Sequence, residues 1–174
     1  LQDAPYDSLF GRGSGGGLIF GNSGGVMESC LRTTYYNLTG EKPPANLLSL
    51  TPVRGLDGLK EATVTLGDLS IRVAVVNGIK EVASILEQVR NHTCPYQMIE
   101  VMNCRGGCIG GGGQPLTSIR TSDADTVRFK RLQGLYQSDR KNQIRSSFEN
   151  PDIVRIYREF LEKPGSPLAE ELLH

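Results

Sequence analysis

Apolar residues at helical spacing predict five helices along the chain. The first follows Ser23, a suitable N-cap, and ends at Gly40, a residue type typical of helix C-termini. Its apolar face comprises Val26, Met27, Leu31, Tyr35 and Leu38. The second runs from Ile79 to about Asn91, with Asn77 as a candidate cap, and the third runs to about Lys141 after Asp123 or Ser122 as the cap. The fourth runs from Pro151 to about Leu161 after the cap Asn150, and the fifth begins at Ser166-Pro167.

Shorter apolar runs predict strands between the first helices. Leu18-Ile19-Phe20, set between glycines, predicts a buried strand. Residues 62–66 and 70–76 flank Gly67-Asp68 and predict a β-hairpin, and Tyr96 to Met102 predicts a further strand. The pattern therefore indicates an α/β fold, a mixed or parallel sheet with flanking helices, followed by an all-helical C-terminal tail.

Composition excludes several classes of partner. The 174 residues carry 19 Lys+Arg and 19 Asp+Glu, so no overall field attracts nucleic acid or an anionic membrane surface. No apolar run approaches the ~20 residues of a membrane helix, so we expect no membrane partner. The chain begins at Leu1 in polar, turn-forming sequence without a targeting segment. We therefore expect a fragment of a longer polypeptide.

Glycine marks two loops as candidate functional sites. The chain has 21 glycines, about 12% against a usual ~7%. They concentrate between Gly11 and Gly25 and between Gly106 and Gly113, each cluster next to a predicted strand. The second cluster lacks the Lys-Ser/Thr pair of a phosphate-binding loop, so a nucleotide site is not expected there.

Four cysteines raise the question of a metal site. Cys94 and Cys104 bracket the predicted strand that ends at Met102, and its length places them more than ~20 Å apart. Cys30 lies within the first predicted helix, and we interpret both Cys30 and Cys94 as small buried hydrophobic residues. Only Cys104 and Cys108 remain as neighbours, in a loop with almost no side chains.

Such a loop suits a bulky inorganic group, because missing Cβ atoms let backbone N–H groups approach and donate to its sulfides. Both glycine clusters follow predicted strands, so the helix start at Gly24-Gly25 is expected to face the same crevice as the two thiols. Two thiolates cannot hold a cubane cluster, so further ligands must lie outside these residues.

The segment from Glu100 to Pro115 closely resembles the C-terminal cysteine motif of iron-only (FeFe) hydrogenases. Residues 20–28, Phe-Gly-Asn-Ser-Gly-Gly-Val-Met-Glu, resemble a helix start of the same domain. Three tail segments resemble the part that some members carry as a separate small subunit; they are Arg131 to Tyr136, Arg145 to Pro151 and Tyr157 to Leu161. The resemblance implies a C-terminal lobe of the catalytic domain over residues 1–120 and a small-subunit-like helical tail over 121–174.

The resemblance implies an H-cluster, a 4Fe–4S cubane bridged by a cysteine to a two-iron subcluster with CO, CN and dithiolate ligands. Cys104 matches a cubane ligand, Cys108 the bridging thiolate, and Met102 the methionine that packs against the two-iron unit. Gly24, Gly25 and Gly107 are the expected cofactor-binding glycines. The family's other cubane cysteines and its proton-relay cysteine lie in motifs that would precede Leu1.

The reaction implied is the reversible reduction of two protons to H2. The expected partners are ferredoxin or NAD(P)-linked subunits as electron carriers, and hydrogenase maturation factors. The expected location is the cytoplasm, or alternatively a hydrogen-producing organelle. We expect residues 1–174 alone to be inactive. A non-catalytic relative in iron–sulfur assembly and an H2-sensing relative are the alternative functions.

Several positions depart from the commoner family pattern, namely Gln97, Asn103, Arg105 and Gly110. Arg105 is expected either to raise the cubane potential or to point to solvent. Eight basic residues across 105–147 indicate either a dock for an acidic electron carrier or, more simply, a solvated helix face; they are Arg105, Arg120, Arg128, Lys130, Arg131, Arg140, Lys141 and Arg145. Glu28 is interpreted as an early-helix acid favoured by the helix dipole.

Overall fold

A three-stranded mixed sheet forms the centre of the computed structural model, which describes residues 12–115 and 121–173. Strands β1 (Leu59–Leu66) and β2 (Leu69–Asn77) form an antiparallel hairpin, with Leu66 paired to Leu69 across the turn. Strand β3 (Met98–Met102) runs parallel to β2, from Val73 opposite Met98 to Asn77 opposite Met102. The mixed sheet and its hairpin confirm the predicted fold class.

Seven α-helices occur in the described residues. They are α1 (Gly15–Leu18), α2 (Gly25–Thr39), α3 (Ala45–Leu48), α4 (Ile79–Arg90), α5 (Thr121–Lys141), α6 (Pro151–Ile156) and α7 (Pro167–Leu173). Short 3-10 turns cover Ile19–Gly21, Thr51–Val53, Cys108–Gly110 and Ser147–Glu149, and a π-helical turn, Tyr157–Leu161, follows α6. The five predicted helices are present, although Gly78 rather than Asn77 caps α4. No helix in the described ranges combines the length and apolarity needed to cross a bilayer.

The predicted strand at Leu18-Ile19-Phe20 is wrong. Leu18 ends α1, which Ser14 caps by accepting a hydrogen bond from the Gly17 N–H, and a 3-10 turn follows. Ile19 is fully buried, whereas Leu18 and Phe20 are 40% and 47% exposed. One buried side chain between two exposed ones is the same alternation that a strand shows, so a run of three residues could not distinguish the two structures.

Two apolar clusters hold these elements together. The larger packs α2 against the hairpin and comprises Met27, Leu31, Leu47, Leu50, Val53, Val64, Leu66, Val73 and Val75. The smaller joins Ile19 and Ile109 to Leu132 and Tyr136 of α5. Ile109 directly follows Cys108, so this second cluster fixes the cysteine segment against both the glycine-rich turn and the tail.

A buried ion cluster connects α2 with the tail. The Arg32 guanidinium, completely buried, donates to the Glu28 carboxylate at 2.8 Å and to both Asp139 oxygens at 2.9 Å. Arg145 adds a 2.5 Å contact to Asp139, and Arg54 a 2.6 Å contact to Glu28. Glu28 lies in the first turn of α2, as expected for an early-helix acid, but it has no exposed surface and is in addition a structural anion between two arginines.

The N-terminal and C-terminal parts also pair through backbone groups. The N–H groups of Gly15 and Gly16 donate to the carbonyls of Ile144 and Arg145 at 2.7 and 2.9 Å. A Cβ on Gly15 would lie 2.2 Å from an Asp139 carboxylate oxygen, so the contact requires glycine. Lobe and tail therefore form one packed unit around the ion cluster.

Candidate metal centre

The candidate site begins where β2 and β3 end at the same edge of the sheet. The parallel register pairs Asn77 with Met102, and the cysteine segment leaves the sheet directly after Met102. The Gly78 N–H donates to the Met102 carbonyl at 2.8 Å, which closes the ladder. This edge is the carboxyl end of two parallel strands, the usual position of ligand sites in open α/β sheets.

The cysteine segment forms a tight turn followed by a single 3-10 turn. The Gly107 N–H donates to the Cys104 carbonyl at 2.8 Å, and Gly106 between them has a φ of 81°. This positive φ at the third position is what a type II turn requires, and glycine adopts it without strain. The Cys108–Gly110 turn follows directly, and the Gly111 N–H closes it by donating to the Cys108 carbonyl at 3.1 Å.

The Asn77 side chain continues the sheet into this turn. Its Nδ2 donates to the Cys104 carbonyl at 2.6 Å and to the Met102 carbonyl at 3.3 Å, while its Oδ1 accepts from the Gly106 N–H at 3.0 Å. The amide thus bonds to the chain on both sides of Arg105. Asn77 is 7% exposed.

The two glycine-rich segments touch through their backbones. The Ser23 N–H donates to the Gly106 carbonyl at 2.9 Å. A Cβ on Gly107 would lie 2.6 Å from the Ser23 nitrogen and 2.9 Å from the Gly21 carbonyl oxygen, so a side chain there would separate the segments. The structure therefore brings the predicted residue Gly107 against the turn that leads to Gly24 and Gly25.

Gly24 and Gly25 are buried against protein. A Cβ on Gly24 would lie 2.2 Å from the Val53 carbonyl oxygen, and one on Gly25 would lie 1.7 Å from that of Ile19. The N–H groups of Gly24 and Met27 at this helix start are engaged by a protein carboxylate. Both groups donate to the Glu100 carboxylate, at 2.5 and 2.7 Å.

Glu100 is a functional residue that sequence reasoning missed. It lies in β3, 8% exposed, and its carboxylate caps the α2 N-terminus across the sheet. A carboxylate at this position satisfies unpaired N–H groups and complements the positive end of the helix dipole. The available signal was a lone acid between Ile99 and Val101, inside an otherwise apolar run.

Lys60 is a second buried charge beside the glycine-rich turn. Its ammonium donates to the Ser23 carbonyl and hydroxyl at 3.1 Å each and to the Gly55 carbonyl at 3.2 Å. Burial lowers its pKa to about 8, although Glu100 and Asp57 act in the opposite direction. Lys60 therefore holds the turn through the carbonyl and hydroxyl of Ser23, the residue whose N–H bonds to Gly106.

Arg105 is bound to the tail. Its guanidinium makes a 2.8 Å contact with the Asp125 carboxylate of α5, which Arg128 also contacts at 2.7 Å. Hydrogen bonds from Arg105 and Arg128 lower the Asp125 pKa to about 2. The side chain is 54% exposed, so the alternative in which Arg105 points toward solvent describes its position better.

Internal contacts also account for other members of the predicted basic surface. Arg131 donates to the Ile109 and Pro115 carbonyls, and Arg145 belongs to the buried ion cluster. Lys130, Arg140 and Lys141 are exposed on α5, and Arg120 lies outside the described residues. Two of the basic residues, Arg105 and Arg131, therefore fasten the cysteine segment to α5.

Cys104 and Cys108 are both exposed thiols. A Cβ on Gly111 would lie 3.5 Å from the Cys104 sulfur, so glycine there leaves that sulfur uncovered. Met102 is half-buried beside them. Among the described residues no group of three or more Cys, His, Asp or Glu side chains could hold a metal ion. Two cysteine thiols are a donor type that iron–sulfur clusters use, but they are fewer than the four that one cluster needs.

The other two cysteines are separate from this pair. Cys94 is half-buried, whereas Cys30 is exposed on α2. The interpretation of Cys30 as a buried hydrophobic residue is therefore wrong. Met27 and Leu31 of the same helix are buried against the hairpin, whereas Cys30 is exposed.

Two family models match the chain. The model described as "Iron only hydrogenase large subunit, C-terminal domain" matches residues 1–112, and that described as "Iron hydrogenase small subunit" matches residues 125–174.

Similar proteins carry hydrogenase names. The NADP-reducing hydrogenase subunit HndD of Solidesulfovibrio fructosivorans is 40% identical over 174 residues, which are 100% of this chain and 28% of that protein. The periplasmic Fe hydrogenase large subunit of Nitratidesulfovibrio vulgaris is 48% identical over 131 residues, which are 74% of this chain and 31% of that one. The chain therefore spans about a third or less of the length of these relatives.

A structural comparison gives the same family. An FeFe hydrogenase HydA1 variant from Chlamydomonas reinhardtii superimposes with a TM-score of 0.72 and 35% identity, covering 100% of this chain and 49% of that one.

Proteins without hydrogenase in their names form a second group of relatives with lower sequence identity. Protein NAR1 of Arabidopsis thaliana is 29% identical over 178 residues, which are 100% of this chain and 36% of that protein.

Proposed function

The chain belongs to the family of the iron-only hydrogenase large subunit, and from that premise we propose that it forms the C-terminal part of a domain that reversibly reduces two protons to H2. The observation that carries the proposal is the placement of Cys104 and Cys108, two exposed thiols on one turn at the carboxyl edge of the sheet. We further propose the division into a lobe over residues 1–120 and a small-subunit-like tail over 121–174.

The two thiols would hold an H-cluster together with ligands from the rest of a longer protein. Cys104 would bind the cubane, and Cys108 would bridge the cubane and the two-iron subcluster. When bound, the cluster supplies the redox chemistry, through iron carrying CO, CN and dithiolate ligands. Met102 would pack against the two-iron subcluster.

The chain's own contribution is orientation. The Cys104 carbonyl accepts from the Asn77 side chain at the end of β2, and the Gly106 carbonyl between the two cysteines accepts from the Ser23 N–H. Gly107 permits the close approach of the two segments, and Gly24 and Gly25 would contribute to cofactor binding by letting α2 pack tightly behind them. A rigid support of this kind keeps sulfur ligands in position when the cluster changes charge.

The same proposal extends to partners and location. We propose ferredoxin or an NAD(P)-linked subunit as the electron carrier, and hydrogenase maturation factors for assembly of the two-iron subcluster. The proposed compartment is the cytoplasm, and a hydrogen-producing organelle is the alternative. The relatives include a protein named as periplasmic, so fractionation of cells that express the full-length protein is the direct test of location.

The test of function uses the full-length protein with Cys104→Ser, Cys108→Ser and the control Cys30→Ser. Bound iron, H2 evolution and the infrared bands of iron-bound CO and CN are measured for each. Both site variants are expected to lose H2 evolution, and Cys108→Ser to lose the infrared bands. Cys30→Ser is expected to behave as the unchanged protein, because its thiol lies on the exposed side of α2. Full H2 evolution in Cys108→Ser would contradict the proposal.

A non-catalytic role in iron–sulfur assembly is the second candidate. It is favoured by relatives such as protein NAR1, which matches the whole chain. An H2-sensing role is a third and would retain the cluster with little turnover. Full-length protein that binds a cubane without infrared CO and CN bands would indicate the assembly role. Residues 1–174 alone are expected to be inactive under each of these functions.

A further inference from the structure

We propose that Asn77 is a positioning residue that sets the conformation of the cysteine turn through its side-chain amide. The inference rests on the proposed function only in that the turn carries metal ligands. The contacts themselves lie within this chain. Asn77 is the last residue of β2 and is far in sequence from both cysteines.

The Asn77 side chain lies at the end of the parallel ladder between β2 and β3. Main-chain pairing between β2 and β3 stops at Asn77 opposite Met102. Beyond that point the Asn77 side chain presents one carbonyl and one NH2 group, as a further peptide unit would. Its Nδ2 reaches the Cys104 carbonyl at 2.6 Å and its Oδ1 receives the Gly106 N–H at 3.0 Å. The side chain thereby extends the sheet by one step into the turn.

The contact between the Asn77 amide and the cysteine turn needs both a donor and an acceptor at position 77. The Cys104 carbonyl accepts from both the Asn77 amide and the Gly107 N–H, so both of its lone pairs are used. A residue at position 77 must donate to a carbonyl and accept from an N–H at the same time. Aspartate supplies acceptors only and would place a negative charge against two carbonyls. Leucine has the same approximate shape and supplies neither group.

The Asn77 contacts lie between the two candidate ligands, Cys104 and Cys108. The amide bonds to Cys104 itself and to Gly106, two residues before Cys108. It therefore fixes the peptide planes between the two thiols, whereas Ile109 fixes the segment after them through apolar packing. Loss of the amide is expected to leave the sheet and core intact and to loosen the turn alone.

The experiment measures hydrogen exchange by mass spectrometry in the full-length protein, in metal-free and iron-loaded forms. The variants are Asn77→Leu and Asn77→Asp, with Asn37→Leu and Asn37→Asp as matched controls on an exposed face of α2. Peptides over residues 103–111 report on the turn, and peptides over 59–76 report on the hairpin. A hydrogen bond of ordinary net strength corresponds to about two- to tenfold faster exchange when lost.

We expect the Asn77 variants to accelerate exchange in residues 103–111 by about that factor, with the hairpin unchanged, in both forms. In the loaded form we also expect less iron per chain and a cubane midpoint potential displaced from that of the unchanged protein. Exchange and potential that match the Asn37 controls would overturn the proposal.

If Asn77→Leu and Asn77→Asp prove too unstable to isolate, Asn77→Ser is used to test the positioning role. The serine hydroxyl retains part of the hydrogen bonding. A smaller acceleration confined to residues 103–111 supports positioning, whereas acceleration that extends through the hairpin overturns it. Should the unchanged protein bind no cluster, the proposed function fails, but exchange in the metal-free form still decides the role of Asn77.

Discussion

Asp139→Asn is expected to break the buried ion cluster that joins α2 to the tail. The Asp139 carboxylate is fully buried and accepts from Arg32 through both oxygens, at 2.9 Å each, and from Arg145 at 2.5 Å. Asparagine has the same size but replaces one acceptor oxygen with an NH2 group, which then faces guanidinium donors. The change leaves three arginines, at positions 32, 54 and 145, around the single carboxylate of Glu28.

The cost follows from the burial of the groups left behind. Removing one partner of a buried ion pair costs about 3–5 kcal/mol, because the remaining charge keeps its desolvation penalty without compensation. We therefore expect the opening free energy of α2 and α5, measured by native-state hydrogen exchange in the full-length protein, to fall by about that amount. Asp68→Asn in the exposed hairpin turn is the control, with an expected change within about 0.5 kcal/mol.

The pH dependence gives a second measurement of the same cluster. Burial alone would raise the Asp139 pKa, but hydrogen bonds from Arg32 and Arg145 outweigh it and hold the pKa below its usual value. A carboxyl with a lowered pKa in the folded state stabilises that state above the unfolded pKa of ~3.9, and the stabilisation is lost as pH falls through the folded pKa. The opening free energy should therefore fall below pH ~4 in the unchanged protein and stay flatter in Asp139→Asn. A cost under about 1 kcal/mol for Asp139→Asn, together with an unaltered acid response, would refute this account.

Three further changes test the supports of the candidate site in the full-length protein. Glu100→Gln should lower the opening free energy at the α2 N-terminus by about 1.5–3 kcal/mol in hydrogen exchange, because it weakens two charge-assisted bonds. Gly107→Ala should reduce bound iron per chain, because its Cβ would lie 2.6 Å from the Ser23 nitrogen at a φ of 91°. The unchanged protein should become more stable relative to Lys60→Met as pH rises from about 8 towards 10. The reason is that the pKa of Lys60 is about 8 in the folded state and ~10.4 in the unfolded state.

Each of these changes has a matched control in the same chain. Glu87→Gln alters an exposed acid of α4, and an equal loss there would show that the Glu100 effect is not local. Gly112→Ala adds a Cβ with nothing within 4 Å, so an equal loss of iron would remove the steric explanation for Gly107. Lys80→Met removes an exposed lysine, and a pH response identical to that of Lys60→Met would contradict the burial argument.

Hydrophobic periodicity predicted most of the fold because it reports which side of an element faces the core. The hairpin around Gly67-Asp68 and the helix α2, closed by Gly40 at a φ of 71°, follow directly from such local signals. The segment at Leu18 could not be assigned in this way, because its conformation depends on the Ser14 cap and on tertiary packing of Ile19.

The candidate site was only partly accessible from sequence for a different reason. The spacing of Cys104 and Cys108 within a glycine-rich loop is a local feature, and it identified the two thiols. Asn77 and Glu100 bond to partners 25 or more residues away, as Lys60 does to Ser23. A single sequence carries no record of such pairings. The Glu28 and Arg32 pair had an i, i+4 spacing typical of surface ion pairs, and nothing local showed that Asp139 and Arg145 would bury it.

The ion cluster and the Gly15–Ile144 hydrogen bond also determine how the fold would respond to a break in the polypeptide chain. Both sets of contacts join segments more than a hundred residues apart, and neither involves the stretch between Pro115 and Thr121. A nick in that stretch would remove one covalent restraint and none of these bonds. Two separately translated pieces would therefore still be joined by the Arg32–Asp139 ion pair, and their association would weaken in acid as the Asp139 carboxylate takes up a proton.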